Sequence, residues 1–162
     1  MGDTASMNSL DIEALALRNI AFASDAYQAM CALRHEVLRK PLGLDLYRED
    51  LAREKDQGLF GMFDGAELIA CVIVVHQAED AVKLRQMAVK SGYAGQGVGR
   101  VLLRALESRL LAQGVRRLSL HARAGAIGFY EKLGYQCRGE PFIEVGIPHR
   151  LMEKHILPMG SA

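Results

Sequence analysis

The sequence predicts an α/β fold: a single domain whose mixed β-sheet is flanked by helices. Its 162 residues, half of them hydrophobic, suit one domain with a sizeable core. Strand-like and helix-like runs alternate along the chain, which favours a layered architecture. Over residues 82–122, a strand, a glycine-rich loop, a long helix and another strand follow one another. That order predicts a right-handed βαβ unit with two parallel strands.

The first third of the chain is predicted to contain one strand and two helices. We expect the strand within Leu10–Phe22, where apolar and polar residues mix. Ser24 is a typical N-cap residue for a helix over Asp25–Lys40, which Pro41 ends. A short, charged surface helix is expected over Leu46–Lys55.

The middle of the chain carries a strong β-hairpin signal. Strand-like runs at Gln57–Phe63 and Glu67–His76 flank Asp64-Gly65, a dipeptide typical of tight hairpin turns. The chain turns again after the second run, and Val82–Val89 is predicted as a further strand. The hairpin would supply the antiparallel strands of the sheet.

A long amphipathic helix is predicted over residues 97–113, ended by Gly114 as a typical glycine C-cap. Apolar side chains recur every fourth residue along it, at Val98, Leu102, Leu106 and Leu110. Four elements are predicted after this helix. They are a strand, a helix and two strands, at Val115–Ala122, Ala124–Leu133, Tyr135–Arg138 and His149–Ile156.

Composition and charge argue against several classes of function. The net charge of +1 offers no general attraction to nucleic acid. Cys31, Cys71 and Cys137 are odd in number and lie far apart, which argues against a disulfide framework and a zinc site and indicates a reducing compartment. No apolar run approaches the ~18 residues of a membrane span. We therefore expect a cytoplasmic protein with no metal and no nucleic-acid or membrane partner.

The first nine residues are predicted to be a flexible leader, and residues 10–158 to form the domain. The start, MGDTAS, also matches the pattern for N-myristoylation, with Gly2 and Ser6 at the required spacing. The leader is the interpretation that we favour. No secretory signal is indicated, because the first apolar stretch follows acidic residues instead of a basic region.

The stretch GYAGQGVGR, residues 92–100, indicates an anion site. Its glycines lie directly before the long helix, where backbone N–H groups and the helix dipole attract negative charge. The stretch argues strongly against a Walker phosphate loop, because Val98 and Gly99 stand where lysine and a hydroxyl residue are required. A dinucleotide fingerprint fails, because Arg100 or Leu102 occupies the last glycine position. A pyrophosphate remains a suitable ligand.

Arg100 strengthens the case for an anion. A cation in the first turn of a helix opposes the helix dipole by about 0.3–1 kcal/mol. A bound anion at this end of the helix would offset that cost. The alternative is a surface arginine with no partner.

Three segments give the chain a resemblance to the GNAT superfamily of N-acetyltransferases. LRQMAV, residues 84–89, is similar to the strand that precedes the family's glycine loop. AGQGVG, residues 94–99, resembles that loop, and AIGFYEKLGY, residues 126–135, resembles a later helix. The likeness extends from about Leu59 to the last strand. It implies acetyl-CoA as cosubstrate and parallel central strands that splay apart to admit it.

The resemblance also implies roles for individual residues. Backbone groups of Met87, Ala88 and Val89 would pair with the pantetheine arm of acetyl-CoA and help to polarise the thioester carbonyl. Tyr130 would protonate the departing thiolate, although packing alone is an alternative explanation for this tyrosine. The pyrophosphate would be held by the backbone N–H groups of Gly95, Gln96, Gly97, Val98, Gly99 and Arg100.

Two positions depart from the family pattern. Ala94 stands where the family has Gln or Arg, so a side-chain cap over the phosphates is missing, and Arg100 or Lys90 is expected to substitute. Arg123 stands where many members have an asparagine that contacts the cofactor. Its guanidinium could instead reach a phosphate or an acidic acceptor.

The general base is sought mainly in the tail FIEVGIPHR, residues 142–150. We expect this tail to be a loop before the last strand, with a turn at residues 146–148. Polar groups of such loops often line functional sites. Glu144 is the first candidate for the base, His149 the second, and His121, at the end of a strand, the third. The alternative, that the tail side chains are simply solvated, stays open.

Together these features predict an acetyl-CoA-dependent N-acetyltransferase that acts on a primary amine by direct attack, without a metal. An alkylamine has a pKa near ~10.4, so it must lose a proton before it attacks. The acceptor would be a small molecule or a peptide, and a homodimer is compatible with the resemblance. The alternative is a related module that binds acyl-CoA with weak or no catalysis, which Ala94 and Arg123 favour.

Overall fold

The computed structural model describes residues 10–158, which form one mixed β-sheet with helices on both faces. The predicted leader, residues 1–9, lies outside the described residues. Within residues 10–158, the seven strands are β1 Ala16–Asn19, β2 Gly58–Asp64, β3 Glu67–Ala78, β4 Ala81–Val89, β5 Arg117–Arg123, β6 Gln136–Glu144 and β7 Ile147–His155. The α-helices of the same residues are α1 Asp25–Arg34, α2 Val98–Ala112 and α3 Ile127–Lys132.

The strands lie across the sheet in the order β1–β2–β3–β4–β5–β7–β6. Strands β4 and β5 run parallel and are joined through α2, whereas the other neighbouring strands are antiparallel. This arrangement confirms the predicted mixed sheet and its βαβ unit. The predicted hairpin is also confirmed, since β2 and β3 pair antiparallel on either side of Gly65 and Ala66.

Two hydrophobic cores lie on opposite faces of the sheet, because side chains alternate along each strand. One core joins the apolar stripe of α2, such as Leu102 and Leu106, to Leu118 of β5. The other joins α1, through Met30, to Ile73 of β3. The polar side chains of β5 alternate with its buried ones. They therefore form a polar face that α2 does not cover.

The N-terminal elements differ from the prediction in extent. Of Leu10–Phe22, only the four residues of β1 form a strand, because Asp11 caps a short 3-10 turn ahead of it. The surface helix predicted over Leu46–Lys55 is wrong in type. The segment instead forms two 3-10 turns, Leu46–Arg48 and Leu51–Asp56.

Helix α1 begins where it was predicted. The Ser24 hydroxyl oxygen accepts the Tyr27 N–H at 3.1 Å, as an N-cap residue should. The predicted span Asp25–Lys40 is not α-helical throughout, since a π-helical turn, His35–Arg39, follows α1. This turn brings the chain to one side of the cleft described below.

The C-terminal tail is a hairpin and not the loop predicted over residues 142–150. Strands β6 and β7 pair antiparallel, so Glu144 ends the first strand and His149 lies within the second. The turn consists of Val145 and Gly146, whose φ angles are +46° and +77°. Both angles are positive, as in the tight turns that match the twist of paired strands.

A buried ion pair connects α1 to the segment before β2. Arg34 donates two hydrogen bonds to the Glu54 carboxylate, at 2.8 and 2.6 Å. The Tyr27 hydroxyl donates a third, at 2.7 Å. Arg34 and Glu54 are both buried, so each charge depends on the other for compensation.

Candidate active site

A cleft opens where the two parallel strands separate. Strands β4 and β5 pair only as far as Leu84 and Leu120, although they continue to Val89 and Arg123. The splay predicted for these strands is therefore confirmed. The cleft has a volume of about 530 Å³. Its walls come from β4, β5, α3, the π-helical turn after α1 and the β6–β7 hairpin.

The C-terminal half of β4 presents a free edge to this cleft. A bulge interrupts its pairing with β3 near Gln86, whose φ of +57° lies in the left-handed region. The Lys90 N–H donates to a β3 carbonyl at 2.8 Å. Because backbone groups alternate between the two edges of a strand, those of Met87 and Val89 face the opposite edge, and those of Ala88 face β3. Two of the three predicted pantetheine contacts thus lie on the edge that β5 leaves open.

The glycine loop and the start of α2 form a cradle of backbone N–H groups. Gly95 and Gly97 have φ angles of +77° and +84°, a conformation that side-chain-bearing residues rarely adopt. The Val101 N–H donates to the Gly97 carbonyl at 3.1 Å. The N–H groups of residues 98–100 precede this bond and so point out of the helix end. This geometry suits an anion.

Side chains add little to the cradle. Ala94 has no polar group, and the Gln96 amide donates to a loop carbonyl at 3.2 Å. The Lys90 ammonium is paired with the Glu67 carboxylate at 2.7 Å. Of the two substitutes expected for the missing cap, Arg100 is therefore the better placed, since it is exposed in the first turn of α2.

Tyr130 of α3 lines the cleft beside the free edge of β4. Its hydroxyl is 3.7 Å from the Met87 sulfur, and its ring packs edge-on against Phe129 and Tyr135. Burial raises the pKa of Tyr130 to about 12. The phenol therefore keeps its proton at neutral pH and can act as a hydrogen-bond donor.

Two histidines and a carboxylate also line the cleft and lie close together. His121 Nδ1 donates to Glu144 Oε1 at 2.8 Å, because a carboxylate only accepts. His149 Nε2 lies 3.8 Å from Glu144 Oε2, and its Nδ1 donates to the Ile147 carbonyl at 2.8 Å. Phe142 packs against both imidazole rings. The structure thus brings all three sequence-derived base candidates together.

The electrostatic environment keeps Glu144 ionised. Burial pushes the pKa of Glu144 upward, but the hydrogen bond and charge of His121, followed by the charges of His149 and Lys83, outweigh burial and hold that pKa below its usual range. Because its pKa lies below the usual range, Glu144 is a weaker proton acceptor than an ordinary carboxylate. It is better suited to orient His121, whose Nε2 then carries the free lone pair in the neutral ring.

Residues 23–156 match the family model of the acetyltransferase (GNAT) domain. The chain belongs to the GNAT family. The match confirms the resemblance inferred from the strand, the glycine loop and the α3 helix.

Several relatives of this GNAT protein are proteins of Bacillus subtilis. It is 32% identical over 130 residues to the N-acetyltransferase YitI of Bacillus subtilis. This match covers 74% of this chain and 85% of YitI. Its match with YyaT of the same bacterium, 39% identical over 84 residues, covers 52% of this chain and 54% of YyaT. A third match from that bacterium covers 49% of the relative. The chain thus spans about half the length of the latter two proteins.

Solved structures agree with the fold. A candidate N-acetyltransferase from Lactobacillus plantarum superposes with a TM-score of 0.78 at 26% identity, over 89% of this chain and 99% of that one. A GNAT acetyltransferase from Elizabethkingia anophelis, whose structure contains acetyl-CoA, gives a TM-score of 0.68 at 16% identity over the same shares. The second likeness concerns the fold alone.

Sequence reasoning missed several cleft residues of this GNAT protein. Four polar residues that the sequence analysis did not name as site residues line the cleft: Arg39, Lys83, Arg85 and Gln86. They lie there together with Arg123, which it did name. A signal was present, because Lys83 and Arg85 alternate with buried residues in β4. Arg39 lies in the π-helical turn, so no strand or helix periodicity could have placed it there.

Two further findings concern the described part of the GNAT chain. No helix among residues 10–158 is both long enough and apolar enough to cross a bilayer. The same residues contain no group of three His, Cys, Asp or Glu side chains arranged to hold a metal ion.

Proposed function

We propose that this GNAT protein transfers the acetyl group of acetyl-CoA to a primary amine by direct attack. The cleft carries the proposal, because the free edge of β4, the Tyr130 hydroxyl and the His121–Glu144 pair all line it. The β4 edge and Tyr130 suit an activated acyl group, and the His121–Glu144 pair suits an amine that must lose a proton. Such a division is what acyl transfer to an amine requires.

Acetyl-CoA fits the residues that are present. The N–H groups at the start of α2 would hold the pyrophosphate, and the free groups of Met87 and Val89 would pair with the pantetheine arm. When bound, acetyl-CoA supplies a thioester whose acyl group is activated toward amines. Binding of acetyl-CoA by a structural neighbour of this fold supports the assignment.

His121 is the proton acceptor in this proposal. A primary amine with a pKa near ~10.4 reaches the cleft mostly as ammonium, so a base must remove a proton before attack. Glu144 accepts a hydrogen bond from Nδ1–H of His121, so Nε2 of His121 is the basic nitrogen. The carboxylate also stabilises the imidazolium that forms. His149 is buried beside this pair, with its Nε2 3.8 Å from the other oxygen of Glu144.

Thiol release from acetyl-CoA over a panel of primary amines tests the proposal. We expect release that depends on the amine and that saturates with acetyl-CoA. The panel should include small amines, amino acids and a short peptide, because the acceptor is proposed to be a small molecule or a peptide. CoA binding without turnover of any amine, together with no effect of Tyr130→Phe, would instead indicate an acyl-CoA-binding module.

A further inference from the structure

The polar face of β4 and β5 carries more positive charge than acetyl transfer itself requires. Lys83 and Arg85 of β4 and Arg123 of β5 line the cleft together with Arg39. Glu144 is the one carboxylate among the residues of the described chain that line it. The cleft thus combines four permanent or near-permanent cations with a single anion. This imbalance is local, since the whole chain carries a net charge of only +1.

Three of these cations form no ion pair with a carboxylate of the described residues. Arg39 is neutralised, because its guanidinium binds the Glu49 carboxylate at 2.6 Å. Across residues 10–158, none of the ion pairs includes Lys83, Arg85 or Arg123. Arg123 donates instead to a neutral backbone carbonyl at 3.1 Å.

The surroundings oppose these charges. Burial, and then the neighbouring Arg85, lowers the pKa of Lys83 and outweighs the opposite effect of Glu144. Burial, and then Arg39, lowers the pKa of Arg123, again against the opposite effect of Glu144. Both side chains are half-buried, so water screens them incompletely. An anion bound among them would offset both the burial and the mutual repulsion.

The cations are separate from the cradle expected to hold the pyrophosphate. Residues 95–100, at the start of α2, do not line the cleft. Arg123 is anchored to Leu38, in the π-helical turn that borders the opposite side. Lys83 lies close enough to Glu144 for their charges to interact. The positive charge therefore lies beside the pair that would deprotonate the amine.

We propose that the acceptor is a small primary amine that also carries a carboxylate or phosphate, and that Lys83, Arg85 and Arg123 bind this anionic group. The inference rests on the proposed function. The amine end lies at His121 and Glu144, and the acidic end lies along the polar face of β4 and β5. Guanidinium groups suit this role, because they bind carboxylate and phosphate through paired hydrogen bonds.

Length-matched amines test this inference in the thiol-release assay. β-Alanine and γ-aminobutyrate are compared with their neutral amides, and putrescine provides a cationic end. Phosphoethanolamine and ethanolamine form the phosphate arm. We expect kcat/KM for at least one acid to exceed that of its neutral counterpart by tenfold or more. The arm with the larger ratio identifies the anion.

Variants assign the effect to the cations. In Lys83→Gln and Arg85→Gln, the ratio between the preferred acid and its neutral counterpart should fall by about tenfold. Arg48→Gln is the control, because its side chain is 88% exposed and lies outside the cleft. Its ratio should match that of the wild type. Arg85 is itself exposed, so its variant should fold normally.

Three results would overturn the inference. Equal turnover of acids and amides would refute it and leave the proposed function intact. A loss of CoA affinity in Lys83→Gln or Arg85→Gln, measured by calorimetry and equal to the loss of turnover, would assign the cations to the cosubstrate. Absence of thiol release with every amine would refute the proposed function and this inference with it.

Discussion

Tyr130 is placed to donate a hydrogen bond more readily than to give up its proton. Its pKa of about 12 makes it a weaker acid than a thiol, whose pKa is near ~8.5. Complete proton transfer to a thiolate would therefore be uphill. A hydrogen bond to the developing negative charge is favourable, and bonds of this kind contribute about 1.5–3 kcal/mol. Stabilisation by hydrogen bonding is thus the role that the burial of Tyr130 allows.

Tyr130→Phe should lower kcat by about 10–100-fold, since each 1.4 kcal/mol corresponds to a factor of about ten. The affinity for CoA, measured by calorimetry, should change much less. Tyr135→Phe is a matched control, because that hydroxyl donates to Glu107 at 2.7 Å, outside the cleft. The control should lose stability but keep its kcat. Equal kcat for Tyr130→Phe and wild type would leave packing as the role of Tyr130.

His121 and Glu144 should act as a unit. If Glu144 works through His121, removing either side chain disables the same proton transfer, so their effects should not add. We expect His121→Asn and Glu144→Gln each to lower kcat/KM by about 100-fold or more. The double variant should be little worse than either single variant.

Steady-state kinetics at saturating acetyl-CoA measure this coupling. Glu153→Gln is the control, because Glu153 lies on β7 and binds Arg138, away from the cleft. It should retain the activity of the wild type. Losses that multiply in the double variant would show that the two residues act independently, and would restore Glu144 as a base in its own right.

At the scale of elements, the glycine loop depends on backbone shape and on the absence of negative charge. Gly97 has a φ of +84°, and an added Cβ would only touch Ile12 at 3.4 Å. Crowding is therefore slight, and the effect of a substitution comes from backbone strain and charge. Gly97→Asp should weaken CoA binding by about 100-fold or more, since it adds both strain and a carboxylate beside the phosphates.

Gly97→Ala separates the two causes, because alanine adds the strain without the charge. Calorimetry with CoA should give an affinity between those of Gly97→Asp and the wild type. Thermal unfolding of both variants shows whether the loop change reaches the rest of the fold. Undiminished affinity in Gly97→Asp would move the pyrophosphate away from the start of α2.

The βαβ unit could be predicted from sequence because its signals are local. Apolar residues every fourth position determine α2, and strict alternation determines β5. This alternation does not predict the splay, because the splay depends on where β4 and β5 stop pairing. The family resemblance supplied that feature, and the register confirms it.

The C-terminal hairpin could not be predicted because it contains glycine and proline residues that usually end strands. In this sheet they lie at positions that tolerate them. Gly139 and Pro141 suggest that a strand ends, but β6 continues past them through a bulge between Arg138 and Phe142. Pro148 is opposite β6 at a point beyond the end of β5, so its missing N–H deprives no β5 carbonyl of a partner. Local composition does not reveal which edge of a strand is unpaired.

For the whole molecule, the Arg34–Glu54 pair connects α1 to the segment that precedes β2. Arg34 ends α1, just before the π-helical turn that carries Leu38 and Arg39 into the cleft wall. Glu54 belongs to the segment that leads into β2. The pair was not predicted, because a buried carboxylate within a charged run has no distinctive sequence signal.

Glu54→Gln should reduce the free energy of unfolding by about 3–5 kcal/mol at neutral pH, since it leaves the buried Arg34 charge without its counter-ion. Urea unfolding measures this loss. Glu67→Gln is the matched control, because its ion pair with Lys90 is exposed, and it should cost no more than about 1 kcal/mol. Equal losses in the two variants would contradict the role of burial.

Acid should abolish the difference between Glu54→Gln and wild type. Burial pushes the pKa of Glu54 upward, but the hydrogen bonds from Arg34 and Tyr27 outweigh it and hold the pKa below its usual range. A carboxylate whose pKa is lower in the folded state stabilises that state above its unfolded pKa, near ~4.3, and stops doing so as pH falls through the folded value. The unfolding free energies of the two proteins should therefore remain parallel from neutral pH to about 5 and converge at lower pH. A constant difference down to the acid transition would show that the ionisation of Glu54 does not contribute to the stability of the fold.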